Sequence, residues 1–160
     1  MSNLDQFYTL PEIALECYEK LKKHVNIDDF DHIVEPSAGT GSFFYLLDEG
    51  RRLGFDIDPK CENVKKMDYL KFKPDIEKSY IVVGNPPFGK ISSMAVKFFN
   101  KSAEYCDVIG FIIPRTFKRV SIQNKLNLKF HLIYSEDLPL SPCCFSPKMS
   151  AKCCFQMDTR

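Results

Sequence analysis

The chain has no tryptophan, no surplus of either charge and no long apolar run. Its 22 Lys and Arg face 21 Asp and Glu for a net charge of +1, and this average charge with 44% apolar residues excludes a disordered chain. No apolar stretch approaches the roughly 18 to 20 residues of a membrane span, so no membrane is expected as a partner. Met1 to Leu10 lacks the basic start and apolar stretch of a secretory signal, and seven cysteines, an odd number, suit a reducing compartment. A cytoplasmic or nuclear location is expected. Internal repeats and low-complexity tracts are also missing, and 160 residues suit one compact domain.

What is present alternates helix-like segments with short apolar runs bounded by Gly, Pro and Asp, which is the pattern of an α/β fold. A helix opens at Leu10-Pro11-Glu12-Ile13, with Thr9 as its N-cap and Ile13, Leu15, Cys17, Tyr18 and Leu21 apolar along it. Strands are expected at His32 to Val34, Arg52 to Phe55, near Asn63 to Lys66, at Tyr80 to Val83 and at Val108 to Ile113. Helices are expected at Ser42 to Asp48, Ser92 to Tyr105 and Thr116 to Leu126. Two final strands, Phe130 to Tyr134 and Lys152 to Met157, can form an antiparallel edge on an otherwise parallel sheet.

Each polar motif falls at the carboxyl end of a strand, where open α/β sheets bind ligands. Gly39-Thr40-Gly41 lets backbone approach a ligand closely, although a dinucleotide fingerprint would want a small residue where Phe44 stands. It reads equally as an ordinary turn. Asp56, ending the next strand, can accept both hydroxyls of a ribose, and the pair suggests an adenosine-containing cofactor. Asn85-Pro86-Pro87-Phe88 is more specific: two prolines after a buried strand remove two backbone donors and fix two φ angles, leaving a rigid array of acceptors suited to an amine. Gly84-x4-Gly89-Lys90 imitates a phosphate-binding loop, but Ile91 stands where Mg²⁺ needs a hydroxyl, and Pro86 and Pro87 lack the N–H groups of a phosphate nest.

Charge is unevenly spread. Residues 1 to 31 hold seven acids and three bases, while Arg115, Lys118, Arg119, Lys125 and Lys129 lie in a stretch without acids. That stretch is either a phosphate contact or a solvated face. Cys143, Cys144, Cys153 and Cys154 lack chelate spacing, and Cys153 and Cys154 should point to opposite faces of one strand, so no metal site is expected. His24, His32 and His131 likewise show no ligand spacing.

Tyr8-Thr9-Leu10-Pro11-Glu12, Glu35-Pro36-Ser37-Ala38-Gly39-Thr40-Gly41, Asp56-Ile57-Asp58-Pro59, Met67-Asp68-Tyr69 and Asn85-Pro86-Pro87-Phe88, in that order, resemble the class I S-adenosylmethionine-dependent methyltransferases that modify N6 of adenine. The order is that of the gamma-type DNA adenine enzymes, and Gly54-Phe55-Asp56-Ile57-Asp58 with Asn85-Pro86-Pro87-Phe88-Gly89 also resembles the small ribosomal-RNA adenine methyltransferases. The resemblance spans nearly the whole chain. It implies a Rossmann-like fold with a mostly parallel seven-stranded sheet and an antiparallel last strand. It also implies a single catalytic domain over 1–160, in which residues 1–30 complete the cofactor site.

The resemblance further implies the cofactor S-adenosyl-L-methionine, with Tyr8, Pro36, Ser37, Tyr69 and Asn85 among its contacts. Thr9 and Glu35 would face its methionine end, Gly39 and Gly41 would let it pass, Asp56 would hold the ribose, Ile57 would pack on the adenine and Asp68 would accept from the amino group. Asn85 and Pro86, stiffened by Pro87, would accept the target's N6 hydrogens while Phe88 stacks on the base. Adenine's exocyclic nitrogen is a poor nucleophile, so such an enzyme works by positioning and preorganised acceptors on a base that is unpaired or flipped out. Phe145 is either the second face of a base clamp or a core residue, and Arg115, Lys118 and Arg119 would meet the phosphates of DNA or RNA. No tract for a separate target-recognition domain is visible, so a recognition or activating subunit is an expected partner. Asp58 reads as a helix start. The rival readings are a protein glutamine-N5 methyltransferase and a catalytically silent binding subunit of the same fold.

Overall fold

The computed structural model describes residues 7–147 and 151–160. Its first elements are a two-residue strand β1 (Tyr8–Thr9) and helix α1 (Pro11–His24). Pro11 in the first turn, Glu12 beside it and Lys22, Lys23 and His24 in the last turn match what a helix dipole and its free ends favour. The buried stripe is Ala14, Cys17, Tyr18 and Leu21, at helical spacing, while Leu15 is exposed. Thr9 is not the N-cap: that place falls to Leu10, which makes no side-chain cap, because Thr9 is paired in β1.

Strands β2 (His32–Glu35), β3 (Arg52–Asp56), β4 (Lys65–Lys66), β5 (Tyr80–Gly84), β6 (Val108–Pro114), β7 (His131–Asp137) and β9 (Cys153–Thr159) make one seven-stranded sheet in the order β4-β3-β2-β5-β6-β9-β7. β9 alone runs opposite to the other six strands. It lies between β6 and β7 and pairs antiparallel with both, so the last two strands form the expected antiparallel edge, with β7 outermost. A separate two-stranded sheet pairs β1 with β8 (Phe145–Ser146) and draws the N-terminal strap onto the loop that precedes β9.

Helix α1 covers one face of the sheet, while α2 (Ser93–Ala103) and α3 (Val120–Gln123) cover the other. The alternation along β5 makes this plain: Ile81 and Val83 pack with the α1 residues, and Val82 packs with Phe98 and Phe99 of α2. Cys153 and Cys154 divide between the two cores in the same way.

Three expected helices are absent or reduced. Ser42 to Asp48 forms only a 3-10 turn at Phe44–Leu46, with Phe43, Phe44 and Leu47 buried, and Asp48 then reverses the chain by accepting from the Gly50 N–H and the Arg51 guanidinium. Thr116 to Leu126 splits into a 3-10 turn at Arg115–Lys118 and the short α3, separated by extended Arg119. No helix follows Asp58, which is exposed and pairs with Lys60 at 2.7 Å.

Candidate active site

The order of strands reverses at β2 and β5. β3 lies on one side of β2 and β6 on the far side of β5, which opens a crevice at the carboxyl ends of β2 and β5. Glu35 closes β2 and Gly84 closes β5. The Glu35 carboxyl lies over the Gly84 backbone so closely that a Cβ on Gly84 would sit 2.3 Å from Oε1. That carboxyl is 2% exposed and accepts the Ser37 N–H at 2.9 Å. Burial pushes its pKa up to about 8; the Ser37 bond opposes the rise and the negative charge of Asp56 adds to it.

Past β2 the chain turns at Gly39, whose left-handed φ of +56° favours glycine and whose would-be Cβ position lies 2.9 Å from the Tyr8 ring. The Gly39 N–H donates to Asp56 Oδ2 at 2.8 Å and the Asp58 N–H to Oδ1 at 2.9 Å, so both oxygens of Asp56 are held at the end of β3 with a lone pair each to spare. Past β5, the Asn85 carboxamide donates from Nδ2 to Thr9 Oγ1 at 3.1 Å and to the Phe7 carbonyl at 3.4 Å. Its own backbone carbonyl accepts the Ser37 hydroxyl at 2.9 Å. Among the described residues nothing donates to Asn85 Oδ1 or to the Pro86 carbonyl. The Phe88 carbonyl accepts the N–H groups of Met94 and Ala95, which ties the end of the motif to α2.

These segments enclose a cavity of about 340 Å³. Of the expected cofactor residues, Tyr8, Pro36, Ser37, Gly39, Asp56, Ile57, Asp68, Tyr69 and Asn85 line it, and Asn85, Pro86, Pro87 and Phe88 complete one wall. Asp68 accepts the Leu70 N–H at 3.0 Å and stays half-buried at the wall. Tyr69 brings no polar side-chain atom there, because its hydroxyl is bonded to Ser102 and Tyr105 in the core.

The remaining expectations need correction. Thr9 and Glu35 do not line this cavity but a neighbouring one of about 20 Å³, the size of a single water. Gly41 lines neither: its φ of +90° turns the chain against the Tyr45 ring. Phe145 is 5% exposed in the α1-side core and pairs with Thr9, so it offers no face to a base. Arg115 is consumed by the fold, donating to the carbonyls of Leu138 and Cys153 at 2.9 and 3.2 Å and facing Asp137 at 3.4 Å. Lys118 is exposed and faces Asp137 at 3.6 Å; Arg119 is exposed and makes no ion pair among the described residues. Neither lines the cavity.

Phe7, Asp58, Lys60, Met67, Met94 and Phe98 line the cavity as well, although their sequence signals pointed elsewhere. Met94 and Phe98, four apart on α2, had a helical signal but read as core, and the others adjoin motif residues that were recognised.

The fold is that of the class I methyltransferases. A protein of Listeria monocytogenes provisionally described as a class I S-adenosylmethionine-dependent methyltransferase superposes with a TM-score of 0.72 at 14% identity, over 100% of this chain and 62% of that one. A protein from Pyrococcus horikoshii, provisionally described as an RNA methyltransferase, gives 0.62 at 19% identity over 91% of this chain and 83% of its own. The 23S rRNA methyltransferase ErmE gives 0.61 at 18% identity over 80% of this chain, and the present chain spans 60% of that protein. At these identities the likeness shows the fold. No family model and no curated sequence matches the chain.

Proposed function

We propose that this protein is an S-adenosylmethionine-dependent methyltransferase that modifies N6 of an adenine in nucleic acid, on a base that is unpaired or flipped out. The observation that carries the reading is the wall formed by Asn85 and Pro86, two acceptors without donors, in one cavity with Asp56 and the Gly39 backbone.

The residues fit the cofactor. A volume of about 340 Å³ lies in the range of small-molecule sites. Gly39 leaves room where a side chain would stand, Asp56 would accept from the ribose hydroxyls, Ile57 would cover one face of the adenine ring and Asp68 would accept from its amino group. Bound S-adenosylmethionine would supply an electrophilic methyl group. On the target side, Asn85 Oδ1 and the Pro86 carbonyl would accept the two N6 hydrogens, drawing that nitrogen towards tetrahedral geometry and freeing its lone pair. Pro86 and Pro87 hold the acceptors still, and Phe88 would stack on the base. With Arg115 committed to the fold, Lys118 and Arg119 are left for phosphate contact, a weak hold that a partner subunit would strengthen. The catalytic unit in this reading is one domain, with the N-terminal strap part of the site.

The test is transfer of labelled methyl from S-adenosylmethionine to separate pools of ribosomal RNA, messenger RNA, DNA and protein, beside an Asn85→Ala control. Ribosomal RNA is first in order because two of the solved neighbours are described as acting on RNA. The expected product is N6-methyladenine that the control fails to make. Label confined to protein, or equal with the control, overturns the reading. A chain that does not bind S-adenosylhomocysteine in calorimetry is instead the silent module.

A further inference from the structure

A carboxamide that receives an amine must present its oxygen, since its nitrogen carries only donors. Left to solvent, the Asn85 side chain could turn either end to the cavity. Its surroundings remove that choice. The Phe7 carbonyl, 3.4 Å from Nδ2, can only accept, so the nitrogen faces the strap; Thr9 Oγ1, at 3.1 Å, takes the better-placed of the two bonds.

Thr9 is itself held firmly. It is 6% exposed, its residue pairs with Phe145 across the β1–β8 sheet, and its carbonyl accepts the Ser42 hydroxyl at 2.6 Å. It does not reach the 340 Å³ cavity, whereas Asn85 does.

From this arrangement we infer that Thr9 is a positioning residue: its hydroxyl, anchored by the strap, fixes the Asn85 carboxamide with Oδ1 towards the amine to be methylated. The inference rests on the proposed function for its kinetic consequence, and on the hydrogen bond alone for its structural one. It reassigns Thr9 from the cofactor's methionine end to the target side of the reaction.

Thr9→Val keeps the shape and the strand preference while removing the acceptor. Misplacement of a reacting group on this scale costs about tenfold to a hundredfold, and the loss is expected in kcat. The Kd for S-adenosylhomocysteine should stay at the parent's, and Thr9→Ser should restore turnover. An unchanged kcat overturns the inference. So does a parallel loss of kcat and of S-adenosylhomocysteine affinity, which would return Thr9 to the cofactor.

A second measurement needs neither turnover nor the valine variant. In ¹⁵N-asparagine-labelled parent protein, the Asn85 carboxamide, identified by its loss in Asn85→Ala, should exchange its protons with water far more slowly than an exposed carboxamide does. Exchange as fast as that of an exposed carboxamide overturns the inference. A parent that methylates no pool overturns the proposed function and leaves the Thr9 contact to be decided by this spectrum.

Discussion

Replacing Glu35 by glutamine should change how the stability of the protein depends on pH. Glu35 is 2% exposed, and burial lifts its carboxyl from the ordinary 4.5 to about 8. Between those values the folded protein keeps a proton that the unfolded chain has released, so the free energy of unfolding falls as pH rises. The contribution is complete below about pH 4.5, is lost progressively up to about pH 8, and is flat beyond. At 1.36 kcal/mol per unit, the full difference is on the order of 5 kcal/mol. Glutamine has the same shape over Gly84, and its oxygen can still accept the Ser37 N–H, but it does not titrate. Its new N–H groups carry a cost of their own, which shifts the curve vertically without tilting it. Asp158, whose pKa burial lifts to about 6, slopes in the same direction in both proteins and cancels in the difference. Urea unfolding at several values between about pH 5 and pH 8.5 should therefore show the variant gaining on the parent as pH rises. Parallel curves would refute the claim that this carboxyl is buried in its neutral form.

Gly39→Ala forces a left-handed residue to carry a Cβ 2.9 Å from the Tyr8 ring, a backbone cost of about 1 to 2 kcal/mol; calorimetry should find weaker S-adenosylhomocysteine binding, and unaltered affinity would count against Gly39 as part of the cradle. Phe145→Ala should cost about 3 to 5 kcal/mol in urea unfolding, as for a core aromatic. Activity lost at full stability would bring back the base clamp. Arg119→Ala should weaken nucleic-acid binding and lower the salt slope by about one without moving the melting temperature. Arg115→Ala should instead lower stability by about 1 to 3 kcal/mol, because the Leu138 carbonyl loses its donor while that of Cys153 keeps only the Leu138 N–H; the reverse pattern in filter binding and thermal melts would exchange the two roles.

The strands were legible because burial on both faces demands short continuous apolar runs, and Tyr80-Ile81-Val82-Val83 is one. The motifs were legible because each stands where such a run stops. What escaped the sequence depended on contacts distant along the chain. Ser42 to Asp48 has the composition of a helix, but the Ser42 hydroxyl is tied to the Thr9 carbonyl and the Phe44 ring lies over Gly54 of β3, contacts that the local pattern does not show. Arg115 looks like a free cation until β9 and the Asp137 end of β7 are laid beside it. Thr9 has the local pattern of a helix cap, and only the β1–β8 pairing and its reach to Asn85 give it a different task.

Gly84 shows how the same residue type can carry opposite meanings. In a phosphate-binding loop the first glycine frees backbone N–H groups for an anion. Here β2 and β5 are neighbours, with Val34 paired to Val82, and the Glu35 carboxyl at the end of β2 reaches over Gly84 at the end of β5, so the glycine is needed because the carboxyl occupies the space of its missing Cβ. An acidic group packed on that backbone repels a phosphate when ionised, and a phosphate would in turn hold it protonated. The two prolines that follow withdraw two more N–H groups from the same loop. Glycine, carboxyl and prolines thus bias the end of β5 against anions and towards ligands that donate hydrogen bonds or carry positive charge, which is the requirement shared by an exocyclic amine and a sulfonium cofactor.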